Sequence, residues 1–129
     1  MDQILEDLLQ SDIVVLATPI YELGPTALMK RFIERSMPIL YFGQRGPVAR
    51  NKTRKGKIGL VLVSSAAPYP LNILTGITKY PVSILSQLCK GFGCQKVKNI
   101  KAAGMQFDKF RHKYLKEVYE VGRKMASYH

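Results

Sequence analysis

Few residues of this 129-residue chain have the types and spacing that catalysis by side chains requires. His112 and His129 have no carboxylate at a triad or metal-ligand spacing, and the acidic residues are scattered. Ser64 and Ser65 lack the Gly-x-Ser-x-Gly turn of a serine hydrolase. The side chains therefore give no support to hydrolysis, to acid–base catalysis or to a metal site.

The stretch best suited to binding a ligand is TPIYELGP, which starts at Thr18. Pro19 and Gly24 predict a sharp bend between an apolar strand and a helix, and Tyr21 could lie against a flat ligand. A bend that leaves a parallel strand presents backbone N–H and C=O groups beside apolar surface. The plainer alternative is that Pro19 only ends the strand and that Tyr21 packs on Phe32.

Apolar runs of strand length precede this bend and recur later in the chain. IVVLA, from Ile13 to Ala17, follows a short amphipathic helix, and KIGLVLVSS follows the next helix. A strand that is apolar on both faces is typical of a parallel sheet covered by helices on each side. A weaker third strand is predicted in KVKNIKAAGM, where the lysines indicate an edge position.

The predicted order is helix, strand, helix, strand, helix, strand, helix, within one domain that spans residues 1–129. This alternation indicates the α/β class, with parallel strands and right-handed crossovers. Ligands of such sheets lie beyond the carboxyl ends of the strands. The segments 18–21, 64–70 and 103–105 are therefore expected to meet on one rim of a sheet of about three strands.

The charge of the chain is unusual, because the formal net charge is +11. Many of the basic residues lie in RGPVARNKTRKGK, which contains no acid and is predicted to be a solvated loop. Its basic residues are Arg45, Arg50, Lys52, Arg54, Lys55 and Lys57. Positive charge favours anionic partners of every kind, so nucleic-acid binding is the weakest of the functional alternatives.

The lengths of the apolar runs and the number of cysteines indicate the cellular compartment. The longest apolar run is far shorter than the ~20 residues that cross a bilayer, and no signal peptide is recognisable, so no membrane partner is expected. Cys89 and Cys94 are too few for a disulfide framework or a four-ligand metal site. These observations favour a cytoplasmic protein with buried or free thiols.

The segment SDIVVLATPIYELGPTALMKRFIERS resembles the third strand and following helix of the flavodoxin-like NAD(P)H-dependent FMN reductases, above all their iron-sulfur flavoprotein branch. In that family a strand ends in Ser or Thr, Pro, a β-branched residue and Tyr, and a Lys and then an acid–Arg pair follow on the helix. The corresponding residues here are Thr18, Pro19, Ile20, Tyr21, Lys30, Glu34 and Arg35.

This resemblance implies a three-layer α/β flavodoxin-like fold and an FMN-dependent NAD(P)H oxidoreductase that transfers electrons from a nicotinamide through FMN to an acceptor. It implies that the turn after the first strand flanks the flavin ring and that the loop after the next strand lies nearby. The cofactor-binding residues would be Thr18, Pro19, Ile20, Tyr21, Ser64, Ser65 and Ala66. The alternative is a non-catalytic association module derived from a flavoprotein.

The resemblance covers only the C-terminal portion of the family's fold, since the first strand, the phosphate loop and the cysteine cluster have no counterpart. Weak FMN binding or none is therefore expected in the isolated chain. The strand from Ile13 to Ala17 would normally pair with the missing strand, so an open edge is expected there. We expect two copies to associate through this edge as a dimer, or a separate chain to supply the missing half.

Overall fold

The apolar runs predicted as strands form the parallel part of a four-stranded sheet in the computed structural model, which describes residues 2–44, 46–49 and 55–127. The helices are α1 (Asp2–Gln10), α2 (Ala27–Ser36), α3 (Leu71–Leu74), α4 (Lys79–Gly91) and α5 (Asp108–Ala126), with a 3-10 turn at Met37–Ile39. The strands are β1 (Ile13–Tyr21), β2 (Gly24–Pro25), β3 (Leu40–Gly43), β4 (Gly46–Ala49), β5 (Ile58–Ser64) and β6 (Lys96–Ala102).

The sheet has the strand order β2-β1-β5-β6. β1 and β5 run parallel with Ile13 opposite Ile58, and β5 and β6 run parallel with Ile58 opposite Lys96. The predicted α/β class with parallel strands is therefore confirmed. The edge position indicated by the lysines of β6 is also correct, because β6 ends the sheet.

The two faces of the sheet carry separate apolar clusters, which makes the fold three-layered. One face of β1 and β5 packs against α1, α2 and α4, and its cluster includes Val14, Leu16, Val61, Val63 and Leu85. On the other face Leu60 and Ile100 pack against Met125 of α5. Strand residues alternate between these clusters because successive side chains point to opposite faces. No helix in the described part of the chain has the length and apolar character to cross a bilayer.

The bend after β1 differs from its prediction. β1 continues to Tyr21, and the chain reverses at Glu22, whose φ of 55° is left-handed. Gly24 and Pro25 then pair antiparallel with Tyr21 and Ile20, so they form a short strand and do not start a helix. The helix begins at Ala27 because the Thr26 hydroxyl accepts a hydrogen bond from the Met29 N–H at 3.3 Å. Leu28, in the first turn of this helix, is exposed.

The basic loop was also predicted incorrectly in part. Residues Gly46–Ala49 form β4, which pairs antiparallel with β3 in a hairpin. Gly46 and Pro47 are of residue types that favour turns, so the sequence pattern did not indicate a strand here. Lys57 is buried, and its ammonium group donates hydrogen bonds to the Leu8 and Leu9 carbonyls at the end of α1. Arg45, Arg50, Lys52 and Arg54 lie outside the described residues.

Candidate functional site

The segments predicted to meet on one rim do lie side by side at the carboxyl ends of the parallel strands. Pro19 is opposite Ser64, and Ser64 is opposite Ala102. The Ser65 N–H donates to the Ala102 carbonyl at 2.8 Å, and the Met105 N–H donates to the Ser65 carbonyl at 3.1 Å. The rim is therefore one continuous surface built from three loops.

Hydrogen bonds inside the bend fix its shape. The Thr18 hydroxyl donates to the Pro19 carbonyl at 3.0 Å and accepts from the Thr26 N–H at 3.3 Å. Ile20 is buried in the cluster on the α2 side, whereas Tyr21 is 70% exposed. Of the four predicted residues in this segment, Pro19 and Tyr21 thus face solvent, and Thr18 and Ile20 hold the bend in place.

The second predicted segment also divides into inward and outward residues. Ser65 is buried, and its hydroxyl donates to the Ala67 carbonyl at 3.4 Å. Ala66 is exposed, and Ser64 is half-buried beside the end of β1. The outward surface here is therefore formed by Ala66 and the backbone around it.

Gly104 shows why the third loop can approach the second so closely. Its N–H donates to the Ala67 carbonyl at 3.0 Å, and its φ is +66°. A Cβ at this position would lie 3.0 Å from the Phe110 ring and 3.4 Å from the Pro68 Cα. Only glycine fits this conformation and this spacing without a shift of its neighbours.

The end of β1 borders a cavity on each face of the sheet. A cavity of about 290 Å³ on the α5 side is lined mainly by apolar groups, including Pro19, Leu62 and Met105. A larger cavity of about 680 Å³ on the α2 side is lined by Thr18 together with Arg31 and Arg35. One cavity thus offers apolar surface and the other offers positive charge.

A third cavity, of about 550 Å³, lies on the rim beside the loop that follows β5. Its lining includes Tyr69, Asn72, Lys79 and Lys101. Asn72 is buried, and its Oδ1 has no hydrogen-bond donor within the described ranges. A buried acceptor without a partner is costly, so this atom is suited to a donor from a ligand or water. Nothing in the sequence pattern around Asn72 indicated this role.

The rim also exposes large apolar side chains, a feature that sequence reasoning recognised only in part. These residues end β1, follow β1, β5 or β6, or lie in the first turn of α4, and they are Tyr21, Leu23, Tyr69, Leu71, Leu74, Tyr80 and Phe107. Exposed apolar side chains at the rim are available to a ligand or partner. Across residues 2–44, 46–49 and 55–127, no cluster of three or more His, Cys, Asp or Glu residues could hold a metal ion.

Replacing Thr18 by valine is expected to lower the free energy of unfolding by about 1–2 kcal/mol, because the Thr26 N–H would lose its acceptor at nearly constant side-chain volume. Urea unfolding measures this change. Thr75→Val is the control, since it removes a hydroxyl that donates to the Leu71 carbonyl at an exposed position. Equal effects of the two substitutions would show that the Thr18 hydroxyl has no special role in the bend.

A family comparison identifies this architecture. The sequence model described as "Flavodoxin-like fold" matches residues 1–121. The chain belongs to the flavodoxin-like family. It is also 29% identical over 126 residues to an iron-sulfur flavoprotein of Archaeoglobus fulgidus, an alignment that covers 98% of this chain and 50% of that protein. The flavodoxin-like chain thus spans about half the length of the curated relative that it matches.

Solved structures with the same fold include two oxidoreductases. The NAD(P)H:quinone oxidoreductase of Methanothermobacter marburgensis superposes with a TM-score of 0.69 at 22% identity, over 89% of this chain and 56% of that one. The FMN-dependent NADH-azoreductase of Bacillus anthracis superposes with a TM-score of 0.70 at 18% identity, over 97% of this chain and 63% of that one. At these identities the likeness shows the fold alone.

Proposed function

We propose that this chain carries the flavin-facing rim of an FMN-dependent oxidoreductase that accepts electrons from NAD(P)H. The observation that carries the proposal is the exposed apolar rim at the carboxyl ends of the parallel strands in a flavodoxin-like chain. The names of its relatives agree, since they include an iron-sulfur flavoprotein and an FMN-dependent NADH-azoreductase.

The outward residues of the rim fit the shape of a flavin ring. Pro19, Ala66 and Tyr21 are exposed and offer apolar surface, and the aromatic side chain of Tyr21 can stack on a ring. When bound, FMN supplies the hydride and electron transfer, so no acid or base from the chain is required. The chain's own task is to orient the ring, and the hydrogen bonds of Thr18 keep Pro19 fixed for this purpose.

Polar groups around the rim fit the remaining parts of the ligands. The unpartnered Asn72 Oδ1 can accept a hydrogen bond from an N–H or O–H group. Lys79 and Lys101 border the same cavity, and Arg31 and Arg35 border the cavity on the α2 side. These cations would favour the phosphates of FMN and of a nicotinamide nucleotide, although less directionally than a loop of backbone donors.

Titration of FMN with the purified chain, followed by flavin fluorescence, tests this function. We expect weak but saturable quenching, and Tyr21→Ala should weaken binding by about 2- to 10-fold because one aromatic contact is lost. Tyr119→Ala is the matched control, since Tyr119 is 72% exposed but lies on α5, away from the rim. Absence of saturation at millimolar FMN, or equal losses in both variants, would contradict the proposal.

A second role is favoured by the outer edge of β1. Among the described residues, only β2 pairs with this edge, and it does so only at Ile20 and Tyr21. Most residues from Ile13 to Pro19 along this edge are apolar, and Val15 among them is 55% exposed. We propose that a strand from a second copy, or from a separate chain, pairs here and extends the sheet. The chain would then also serve as an association module.

A further inference from the structure

The end of α4 brings the two cysteines together. The Cys94 N–H donates to the Cys89 carbonyl at 3.1 Å, and the Gly93 N–H donates to the Lys90 carbonyl at 2.9 Å. Gly93 has a φ of 93°. These are the paired hydrogen bonds and the left-handed residue of a Schellman motif. In this motif the side chains at the positions of Cys89 and Cys94 are frequently in contact, so the turn brings the two thiols close together.

The thiols are buried in the apolar cluster between the sheet and α4, and they are free. Each thiol shifts the pKa of the other, so the two lie within interaction distance. Gly59 of β5 leaves the space that Cys89 occupies, because a Cβ on Gly59 would lie 3.1 Å from the Cys89 Cβ and 3.3 Å from its Sγ. Cys89 is therefore held in place and is 0% exposed, whereas Cys94, at the end of the motif, is 5% exposed as a residue.

A buried cation lies close to this pair. Lys57 interacts electrostatically with Cys94, Asp12 and Cys89, and burial lowers its pKa below the ordinary value of 10.5. The hydrogen bond from Cys89, together with Lys57, lowers the pKa of the Cys94 thiol against the opposing effect of burial. The same hydrogen bond and burial raise the pKa of Cys89. The lowered pKa favours Cys94 over Cys89 as the attacking thiol.

We propose that Cys89 and Cys94 form a redox-active pair that closes reversibly to an intramolecular disulfide. The pair lies at the amino ends of β5 and β6, because Lys57 directly precedes β5 and Cys94 shortly precedes β6. It is therefore at the opposite end of the sheet from the rim to which FMN is assigned. The disulfide would fasten the end of α4 to the start of β6 beside the lysine that caps α1.

The reaction partner is a low-molecular-weight disulfide such as oxidised glutathione. The Cys94 thiolate attacks one sulfur of this disulfide, forms a mixed disulfide and releases one glutathione thiolate. Cys89 then loses its proton and attacks the Cys94 sulfur, which forms the protein disulfide and releases the second glutathione. The two protein thiols are oxidised, and one glutathione disulfide is reduced to two thiols.

The test treats the full folded chain with oxidised glutathione, traps free thiols with iodoacetamide and determines masses. We expect loss of both alkylatable thiols and a chain lighter by two hydrogen atoms, with tryptic peptides of Cys89 and Cys94 linked. Trypsin can separate them because Lys90 lies between. Excess dithiothreitol should restore both thiols. Persistence of two free thiols, or a stable glutathione adduct without the internal bond, would overturn the proposal.

Single variants assign the two roles. Cys89→Ser should stop at the glutathione adduct on Cys94, and Cys94→Ser should react more slowly at Cys89. If the two cysteines had a role in packing alone, their alkylation would follow the same pH profile. We therefore also expect Cys94 in the unmodified chain to react with iodoacetamide at lower pH than Cys89. Lys57 and the other thiol act on each cysteine, and Asp12 acts on Lys57. Equal pH profiles for the two thiols would contradict these roles.

Discussion

Replacing Leu85 by alanine is expected to lower the free energy of unfolding by about 2–5 kcal/mol. Leu85 lies in the middle of α4, is 0% exposed, and belongs to the large cluster that also contains Val61 and Val63 of β5. The substitution removes buried methyl groups and leaves a cavity that a sheet held by parallel ladders on both sides of β5 cannot easily close. Urea unfolding followed by circular dichroism measures the loss.

Leu28→Ala is the matched control for this prediction. Leu28 is also in a helix but is 77% exposed, so the same substitution removes little buried surface. We expect a change within about 0.5 kcal/mol. A loss at Leu85 no larger than the loss at Leu28 would mean that α4 does not pack on the sheet as described.

The central sheet could be predicted because its sequence signal is local and strong. β1 and β5 are apolar on both faces, a pattern that an exposed antiparallel strand would not show, and each is followed by a helix. The β3–β4 hairpin was missed because Pro47 and two glycines read as a loop. β2 was missed because Gly24–Pro25 is typical of a helix start, and only its pairing with the end of β1 at Ile20 and Tyr21 makes it a strand.

The candidate site was predictable in position but not in detail. The rule that ligands lie beyond the carboxyl ends of parallel strands placed Pro19, Ser64 and Met105 on one rim. It could not show which side chains face outward, since burial of Ile20 and Ser65 depends on packing between distant segments. Lys57 gives the clearest example, because its burial depends on α1 carbonyls almost fifty residues earlier in the chain.

The second large effect concerns the proposed pairing of the β1 edge. The Ile58 N–H donates to the Asp12 carbonyl at 3.0 Å, so the backbone groups of residue 12 face β5. Because backbone groups alternate along a strand, those of Val15 face the open edge. Val15→Pro therefore removes an outward donor and leaves the β1–β5 ladder intact. If two copies pair here, the dissociation constant of the dimer should rise about 10- to 100-fold, since each protomer loses one hydrogen bond.

Val15→Thr is the control for this prediction, because threonine is also β-branched and of similar size but keeps the N–H. Light scattering over a dilution series should show the unmodified chain and Val15→Thr as dimers under conditions in which Val15→Pro is monomeric. Circular dichroism should be the same for all three, which separates lost association from lost folding. A chain that is monomeric at every concentration but binds an apolar dye would favour a separate partner chain at this edge. A monomer that binds no such dye would contradict pairing of β1 with any strand.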